Sequence, residues 1–454
     1  MFRLPRSPND AGNPASFPDD HTPLYSIIDI AHQGMAQQER SVSRRRYLRG
    51  TGAAGIAALT GLAGCTLGED GGGTSTGDQD PLTIAATIPE SGRFSSLGQD
   101  LRRGYELGEQ RMNEELDREV NLVVRDDESD AQTLREQLQA ITSNNDVDMI
   151  WGSFSSLLVT AGSAFAENQE LPFLGIAFAY EEPHRNDGYE WTYAPFPKSR
   201  DITRSTLGTL ELISESERPG QVGIWEPNSG WGAEQAGYWE DRLSAEGYEV
   251  VLRETFEIGS EDFSTLISRS ESAGVEVLLS NPTPGGGITA VNQMRENGWA
   301  PDMLQFVRGA DPSAWWSALE DAGAYALMCP GWVPGLTGNG NEQLRNRYES
   351  EYDDDSEYLA VNVGGSYNLT QVAQQAVEAA DSLEPGAIQS ALRGEEFETV
   401  IGTFSFEDNG LPAEGELTAP TGQWWDGAQR LVYPDTDSDR ALDLQYPISP
   451  WDER

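Results

Sequence analysis

The sequence predicts an α/β fold with two lobes, each built on a parallel sheet that is flanked by helices. Short apolar segments rich in β-branched residues alternate with amphipathic stretches of ten or more residues. Strands that are apolar throughout are typical of parallel sheets covered by helices on both faces. The alternation occurs in two series that separate near 193–199, which indicates two α/β lobes.

The first series opens with a predicted strand at 82–88. From Leu97 to Leu116, apolar residues recur every three or four positions, which predicts an amphipathic helix. Asp130 is a candidate N-cap of a second helix. The other strands predicted in this series are 121–127, 147–152 and 171–177.

The second series predicts strands at 221–226, 248–256, 275–280, 304–309 and 324–328, with helices between them at 231–246, 262–272 and 287–297. The long stretch Val361 to Ala380 is predicted to be a helix that returns to cover the sheet of the first lobe. The tail, including the tryptophan-rich 422–427, is predicted to be loop-rich. We therefore expect a first lobe of 81–197 and 333–402, and a second lobe with the C-terminal tail of 198–332 and 403–454.

A leader is predicted at residues 1–65, ahead of these lobes. The stretch 43–65, SRRRYLRGTGAAGIAALTGLAGC, combines the twin arginines Arg44 and Arg45, an apolar run and a cysteine. The apolar run is too short to cross a bilayer of about 30 Å, so it reads as the apolar part of a twin-arginine export signal. Its end resembles a lipobox, with Cys65 as the lipidated residue. A start at Met35 would give a signal of ordinary length, which makes 1–34 a candidate mis-assigned extension.

The stretch at 66–80 is rich in Gly, Thr and Asp and predicts a flexible tether. The whole chain carries 75 acidic and 30 basic residues, for a formal net charge of −45. This excess is spread along the sequence, as expected for a surface adapted to molar salt and a salt-loving microbe. It also argues against nucleic acid as a partner, because phosphate binding needs a basic face.

Signatures of catalysis are missing from the sequence. It has no G-x-S-x-G elbow between a predicted strand and a predicted helix, since the one match to that pattern, at 73–77, lies in the Gly- and Thr-rich stretch 66–80. It also has no H-E-x-x-H, phosphate-loop or C-x-x-C motif. Cys329 lies in an apolar run and is predicted to be a small buried hydrophobe. His184 lies in a polar, turn-like stretch and is predicted to be a solvated loop residue. We therefore predict no enzyme, no catalytic residue, no cofactor and no metal site.

Two polar loops favour a binding site instead. In the stretch WGSFSSLLVTAGSAFAE (151–167), a strand ends and serines precede an apolar helix, and the loop at 89–101 repeats this arrangement. Free amides at a helix N-terminus, together with hydroxyl groups, suit a carboxylate. Ordinary serine N-capping is the alternative for each loop taken alone.

These loops and their order along the chain resemble a known family. The segments SGRFSSLGQDLRRGYELGEQRMNEE, NLVVRDDESDAQTLREQLQAI, IWGSFSS…LPFLGIAFAYEEP, VGIWEPNSGWGAE and VIGTFSFEDNG are similar to type I extracellular solute-binding proteins of ABC transporters. The resemblance is to the branched-chain amino-acid and amide group, and it covers nearly all of 81–430. It implies the type I periplasmic-binding-protein fold and a hinged clamp that closes on one small polar solute and delivers it to a membrane permease.

The resemblance also implies positions for the ligand. The carboxylate of the ligand would lie at Ser155 and Ser156. Backbone groups of the next loop, at Ala177, Phe178 and Ala179, would assist. Hinges are expected near 195–197 and 330–334.

The resemblance implies further ligand positions in both lobes. Trp231 would cover the ligand on closure, and Leu97 and Thr283 occupy positions where family members offer aromatic residues. Arg308 lies where amino-acid binders place an acid, and Asp311 follows three residues later. An arginine there would repel an ammonium group and favour a second anionic or carbonyl group. A salt bridge at the surface or hinge is the open alternative for Arg308.

The sequence thus predicts a monomeric, lipid-anchored binding protein at the extracellular face of the cytoplasmic membrane. Its solute would be a branched-chain-type amino acid, an amide or a small carboxylate, and its partner an ABC permease. Two alternatives remain: a ligand-sensing ectodomain that acts on a membrane receptor, and a secreted hydrolase. The hydrolase is disfavoured because the chain after Cys65 has one histidine.

Overall fold

The computed structural model describes residues 79–175, 179–352, 361–434, 438–451 and 453–454. The leader with Arg44, Arg45 and Cys65, and the tether up to residue 78, lie outside the described residues. Export by the twin-arginine route and lipidation therefore stay predictions. Within the described residues, no helix has both the length and the apolar character needed to cross a bilayer.

The first sheet is wholly parallel. Its strands are β1 (Leu82–Ile88), β2 (Val120–Asp126), β3 (Met149–Trp151), β4 (Phe173–Leu174) and β5 (Thr192–Tyr193). They lie in the order β2-β1-β3-β4-β5, and the register pairs Ile84 with both Leu122 and Met149. The apolar runs of β1 and β3 are buried, as expected for strands covered on both faces.

The second sheet is parallel at its centre and antiparallel at one edge. Its parallel strands are β6 (Gln221–Pro227), β7 (Glu249–Phe256), β8 (Val277–Ser280), β9 (Met303–Phe306) and β10 (Leu327–Met328). After a separate hairpin, β11 (Glu396–Thr399) and β12 (Gly402–Ser405), the chain adds β13 (Thr421–Trp425) and β14 (Ala428–Tyr433). The resulting order is β14-β13-β10-β9-β8-β6-β7.

Helices cover both sheets. They are α1 (Ser95–Glu115), α2 (Ala131–Asn144), α3 (Ser156–Gln169), α4 (Glu182–Asn186), α5 (Ser199–Glu211), α6 (Gly230–Ala245), α7 (Ser264–Ala273), α8 (Pro284–Asn297), α9 (Ala314–Leu319), α10 (Asn341–Tyr352), α11 (Val361–Ala380) and α12 (Pro385–Gly394). We call the first sheet with α1–α4, α10–α12 and the β11–β12 hairpin the first lobe, and the second sheet with α5–α9 the second lobe. The predicted alternation of strands and helices is confirmed.

The return of α11 to the first lobe is also confirmed. Its buried face packs against α1 in one continuous core with β1 and β3, which includes Tyr105, Met112 and Tyr367. This core continues into the β11–β12 hairpin through Phe404 and reaches Leu417. The chain thus keeps packing on the first lobe beyond 402, the residue at which the sequence predicts that this lobe ends.

The tryptophan-rich tail differs from the prediction, because it forms strands β13 and β14 and not a loop. Asp426 and Gly427 connect the two strands with φ angles of +47° and +87°. Positive φ at both central residues matches the two-residue turn that Asp-Gly favours in hairpins. That dipeptide, between two apolar runs, is the sequence signal for the hairpin.

Three connections join the lobes, at 194–198, 329–340 and 406–420. Two of them contain the predicted hinge segments 195–197 and 330–334. The first ends at Lys198, which is the only lysine of the chain and is 0% exposed. Burial lowers the pKa of its ammonium group to about 7, against the opposing effect of Glu181 and Asp201.

Candidate functional site

A cavity of about 170 Å³ lies between the two lobes. Its lining residues follow the carboxyl ends of strands in both sheets, which is where open α/β sheets bind ligands. Leu97 and Ser155 come from the first lobe, and Trp231, Thr283 and Arg308 from the second. A solute in this cavity would therefore touch both lobes at once.

Within the part of the chain that the structure describes, four helices begin at the cavity. Their N-cap residues, Phe94 of α1, Ser155 of α3, Ser229 of α6 and Thr283 of α8, all line it. The first amides of a helix have no acceptor within the helix, and the helix dipole makes this end positive. Each lobe therefore directs the positive ends of two helices toward the cavity.

Two glycines allow these helices to begin close to the strands before them. A Cβ on Gly98 in α1 would lie 2.0 Å from the carbonyl oxygen of Pro89, and one on Gly232 in α6 would lie 2.0 Å from that of Pro227. Both carbonyls belong to backbone, so any larger residue would push the helix outward. The two lobes thus place their first helices by the same close contact.

Ser155 is both an N-cap and a strained residue. Its Oγ accepts a hydrogen bond from the amide of Leu158 at 3.4 Å, and its φ of +84° is unusual for a residue other than glycine. Strained backbone of this kind is concentrated at functional sites. The predicted capping role of Ser155 is thus present, and Ser156 begins α3 beside it.

The buried carboxylate of Asp127 holds the loop that contains Ser153 and Ser155. The Oγ of Ser153 donates to Asp127 Oδ2 at 2.5 Å, and the amide of Ser129 donates to Asp127 Oδ1 at 3.0 Å. Burial raises the pKa of Asp127 to about 6, against the lowering effect of these hydrogen bonds. This pair joins the ends of β2 and β3 and fixes the loop that leads to Ser155.

Trp231 is held by a chain of hydrogen bonds that crosses to the first lobe. Its Nε1 donates to Ser199 Oγ at 3.1 Å, and that hydroxyl donates to Glu234 Oε1 at 2.6 Å. The Glu234 carboxylate also accepts from the amides of Glu181 and Glu182, each at 3.0 Å. Burial raises the pKa of Glu234. The indole is therefore oriented against the cavity by a contact between the lobes.

Arg308 is bonded within the protein on several sides. Its Nη2 lies 2.9 Å from Asp311 Oδ2, and its Nη1 donates to the carbonyl of Pro330 at 3.3 Å. It also donates to Asn362 Oδ1 in α11, and Asn362 in turn donates to the carbonyl of Leu97 at 3.1 Å. Arg308 is 8% exposed and Asp311 is 1% exposed. These contacts favour the salt-bridge alternative for Arg308, at the junction of the lobes.

Two carboxyl groups at this junction have raised pKa values. Burial raises the pKa of Asp311 to about 6 although Arg308 lowers it. Burial and the charge of Asp311 raise the pKa of Asp100, in α1, to about 7. Asp100 belongs to the first lobe and Asp311 to the second, so charge on these acids affects how the lobes meet.

Aromatic rings form the apolar wall of the cavity. Phe94 and Phe154 meet edge to face with ring centroids 5.6 Å apart. The Arg308 guanidinium carbon lies 5.0 Å from the centre of the Phe154 ring. Phe196 and Phe256 also line the cavity. Phe94 and Phe154 lie inside the two polar loops that the sequence identifies, but their aromatic character is not part of that prediction.

The structure brings together all the predicted ligand residues that it describes. These are Leu97, Ser155, Ser156, Ala179, Trp231, Thr283 and Arg308. Ala177 and Phe178 lie outside the described residues. Binding of a ligand by these nine residues stays a prediction. Ser229 and Asn281 also line the cavity but are not among the predicted residues, although Ser229 directly precedes a helix and so carries the usual N-cap signal.

Cys329 and His184 are both buried. Cys329, predicted as a buried hydrophobe, is confirmed as one, and burial raises the pKa of its thiol to about 12. His184 is not the solvated loop residue that the sequence predicts, because it lies in α4 with Nδ1 2.7 Å from the carbonyl oxygen of Asn409. Burial lowers its pKa to about 3. The His184 ring also packs edge to face on Tyr189, with ring centroids 5.1 Å apart.

Comparison with known proteins agrees with this architecture. Residues 81–418 match the model of the periplasmic binding protein family. Leu/Ile/Val-binding protein homolog 7 of Brucella abortus (strain 2308) is 24% identical over 378 residues, which covers 78% of this chain and 92% of that protein.

Solved structures show the same fold at low identity. A solute-binding protein of an ABC transporter from R. palustris in complex with benzoate is 17% identical, with a TM-score of 0.66 over 80% of this chain and 99% of that one. An ABC transporter substrate-binding protein from Desulfitobacterium hafniense in complex with Leu is 19% identical, with a TM-score of 0.65 over 78% and 100%. The predicted two-lobed type I fold is confirmed, and the chain belongs to the periplasmic binding protein family.

Proposed function

We propose that the protein is an extracellular solute-binding protein that captures one small solute and delivers it to an ABC permease. The observation that carries this is the cavity between the lobes, lined by N-caps of helices from both sheets. The curated relatives and solved structures of this fold support a role in transport. The proposal assigns no catalytic role to Cys329, because its buried thiol holds its proton at neutral pH.

Binding would proceed by closure about the three connections between the lobes. A ligand that contacts Ser155 on one side and Trp231 on the other makes both sets of contacts only when the lobes are together. Such a ligand shifts the population toward the closed form. The carboxylate of the solute would lie against α3, with Ala177, Phe178 and Ala179 beside it. An amino acid of the branched-chain type, an amide and a small carboxylate all fit this arrangement.

Thermal unfolding of the chain in molar KCl tests the binding role. The panel contains branched-chain and aromatic amino acids, short amides, and mono- and dicarboxylates. A ligand present at 100 times its dissociation constant adds about 2.7 kcal/mol to the free energy of unfolding. Small-angle scattering with the ligand that shifts unfolding should then show a smaller radius of gyration. A ligand that binds without compaction would contradict the hinged mechanism.

Anchoring to the membrane completes the proposal. Export by the twin-arginine signal at Arg44 and Arg45, followed by lipidation of Cys65, would tether the protein at the extracellular face of the cytoplasmic membrane. The tether would let a monomer reach its permease. Cys65→Ala should move the protein from the membrane fraction to the medium. The double variant Arg44→Lys/Arg45→Lys should retain the protein in the cell. A Cys65→Ala protein that stays with the membrane would contradict the lipid anchor.

A further inference from the structure

We infer that the solute is a carboxylic acid with an aromatic or branched apolar body and without an ammonium group. This inference rests on the proposed function and concerns the same cavity. It selects one of the solute classes that the fold alone leaves open. The inference comes from the volume of the cavity, its apolar wall and the charges around it.

The volume and wall determine the body of the solute. A cavity of about 150 Å³ lined by apolar side chains holds a benzene ring, and the cavity here measures about 170 Å³. Phe94, Phe154, Phe196, Trp231 and Phe256 supply aromatic surface on several sides. Rings packed edge to face or offset on such surfaces gain energy beyond the area they bury. A single ring or a branched four-carbon group fits this wall.

The charges determine the polar end of the solute. Among the described residues, four N-caps of helices and Arg93 line the cavity. Arg308 lines it as well, but its charge is balanced by Asp311 at 2.9 Å. Among the described lining residues, none is Asp or Glu. A carboxylate is therefore stabilised at the helix N-termini. An ammonium group on the neighbouring carbon would face positive helix ends, and none of the described lining residues offers it a carboxylate.

Asn281 is the lining residue of the second lobe at which one substitution would introduce a carboxylate. It lines the cavity next to Thr283, and its Oδ1 accepts a hydrogen bond from the amide of Arg308 at 2.8 Å. Aspartate has the same shape and keeps an oxygen for this bond. Asn281→Asp thus adds one negative charge to the wall while preserving the local geometry.

The test is isothermal titration of the full chain in molar KCl with pairs of compounds that differ by one amino group. The pairs are 3-phenylpropanoate with L-phenylalanine, and 4-methylpentanoate with L-leucine. We expect at least one acid to bind about tenfold or more tightly than its amino-acid partner. 3-Phenylpropanamide keeps the shape without the charge and should bind more weakly than its acid. Charges enclosed in a cavity are screened by salt less than exposed ones, so the difference should survive in molar KCl.

The Asn281→Asp variant should reverse this order, weakening the acid about tenfold or more and strengthening the amino acid. Asn297→Asp is the matched control, because it adds the same charge at the far, exposed end of α8. It should leave both affinities unchanged. Tighter binding of leucine or phenylalanine than of its acid in the unchanged protein would overturn the inference and leave the proposed function intact. Binding by none of the compounds on either panel would overturn both.

Discussion

Replacing Arg308 by methionine should destabilise the protein strongly. The change keeps the apolar stem of the side chain but removes the charge that lies 2.9 Å from the buried carboxylate of Asp311. Breaking a buried ion pair from one side costs roughly 3–5 kcal/mol, because the remaining buried charge loses the opposite charge that balanced it. Asn362 also loses the guanidinium donor, and a buried acceptor left without a donor costs roughly 1–3 kcal/mol. These costs overlap, so we expect a loss of at least about 3 kcal/mol.

Urea unfolding in molar KCl, followed by tryptophan fluorescence, measures this loss. The double variant Arg308→Met/Asp311→Leu is the decisive control, because it removes both charges. Replacing a whole buried pair by apolar residues is often close to neutral. The double variant should therefore recover at least about 2 kcal/mol relative to the single one. If Arg308→Met lowers the free energy of unfolding by less than about 1 kcal/mol, yet abolishes binding of an acidic ligand, the structural role is refuted and Arg308 contacts the ligand instead.

Three further predictions concern the cavity and the contacts between the lobes. Trp231→Ala should weaken the ligand by at least about 1 kcal/mol in titration, because the ring covers the cavity, and an unchanged affinity would remove Trp231 from the site. The Glu234 carboxylate accepts hydrogen bonds from the amides of Glu181 and Glu182 and from the Ser199 hydroxyl. Glu234→Gln replaces one of its oxygens by an NH₂ group, which cannot accept, and should lower the free energy of unfolding by roughly 1.5–3 kcal/mol. Equal urea midpoints for the two proteins would show that this contact contributes nothing. Asp100 has its pKa raised to about 7, so the folded state holds its proton and stability falls as pH rises from about 4 to about 7. Asp100→Asn should remove this fall in stability. The lowered pKa of His184 makes stability rise with pH over a similar range, so the contribution of Asp100 is read from the difference between the variant and the parent. Parallel curves of stability against pH for the two proteins would contradict the assignment.

Local patterns were enough to predict most of the fold. The apolar strands, the helix at Val361–Ala380 and the cap at Asp130 depend on residues close in sequence, and all three are present. The loop of Ser155 could also be predicted, because its serines directly precede an apolar helix, whereas the place of Trp231 came from the resemblance to the family. Features that depend on contacts between residues far apart in the sequence could not be predicted. Arg308 meets Asn362 across 54 positions, and Asn362 meets Leu97 across 265.

The same limit explains the error at His184. Its neighbours in sequence are polar, which indicates solvent exposure when they are considered alone. The residue is buried because the loop at Asn409, 225 positions away, supplies its hydrogen-bond acceptor. The partner of a polar residue decides its burial, and that partner can be anywhere in the chain.

The single buried lysine makes the protein unusual as a target for chemical modification. Reagents that label lysine amines find no lysine on the surface of the folded chain, because Lys198 is 0% exposed at the connection between the lobes. A protease specific for lysine likewise has one cleavage site in the whole sequence. Modification or cleavage at Lys198 therefore requires that the first connection become exposed. Amine reagents also label the N-terminal α-amine, so the peptide that carries Lys198 has to be followed. Its rate of mass change, with and without solute, would measure that exposure, and no probe would have to be introduced.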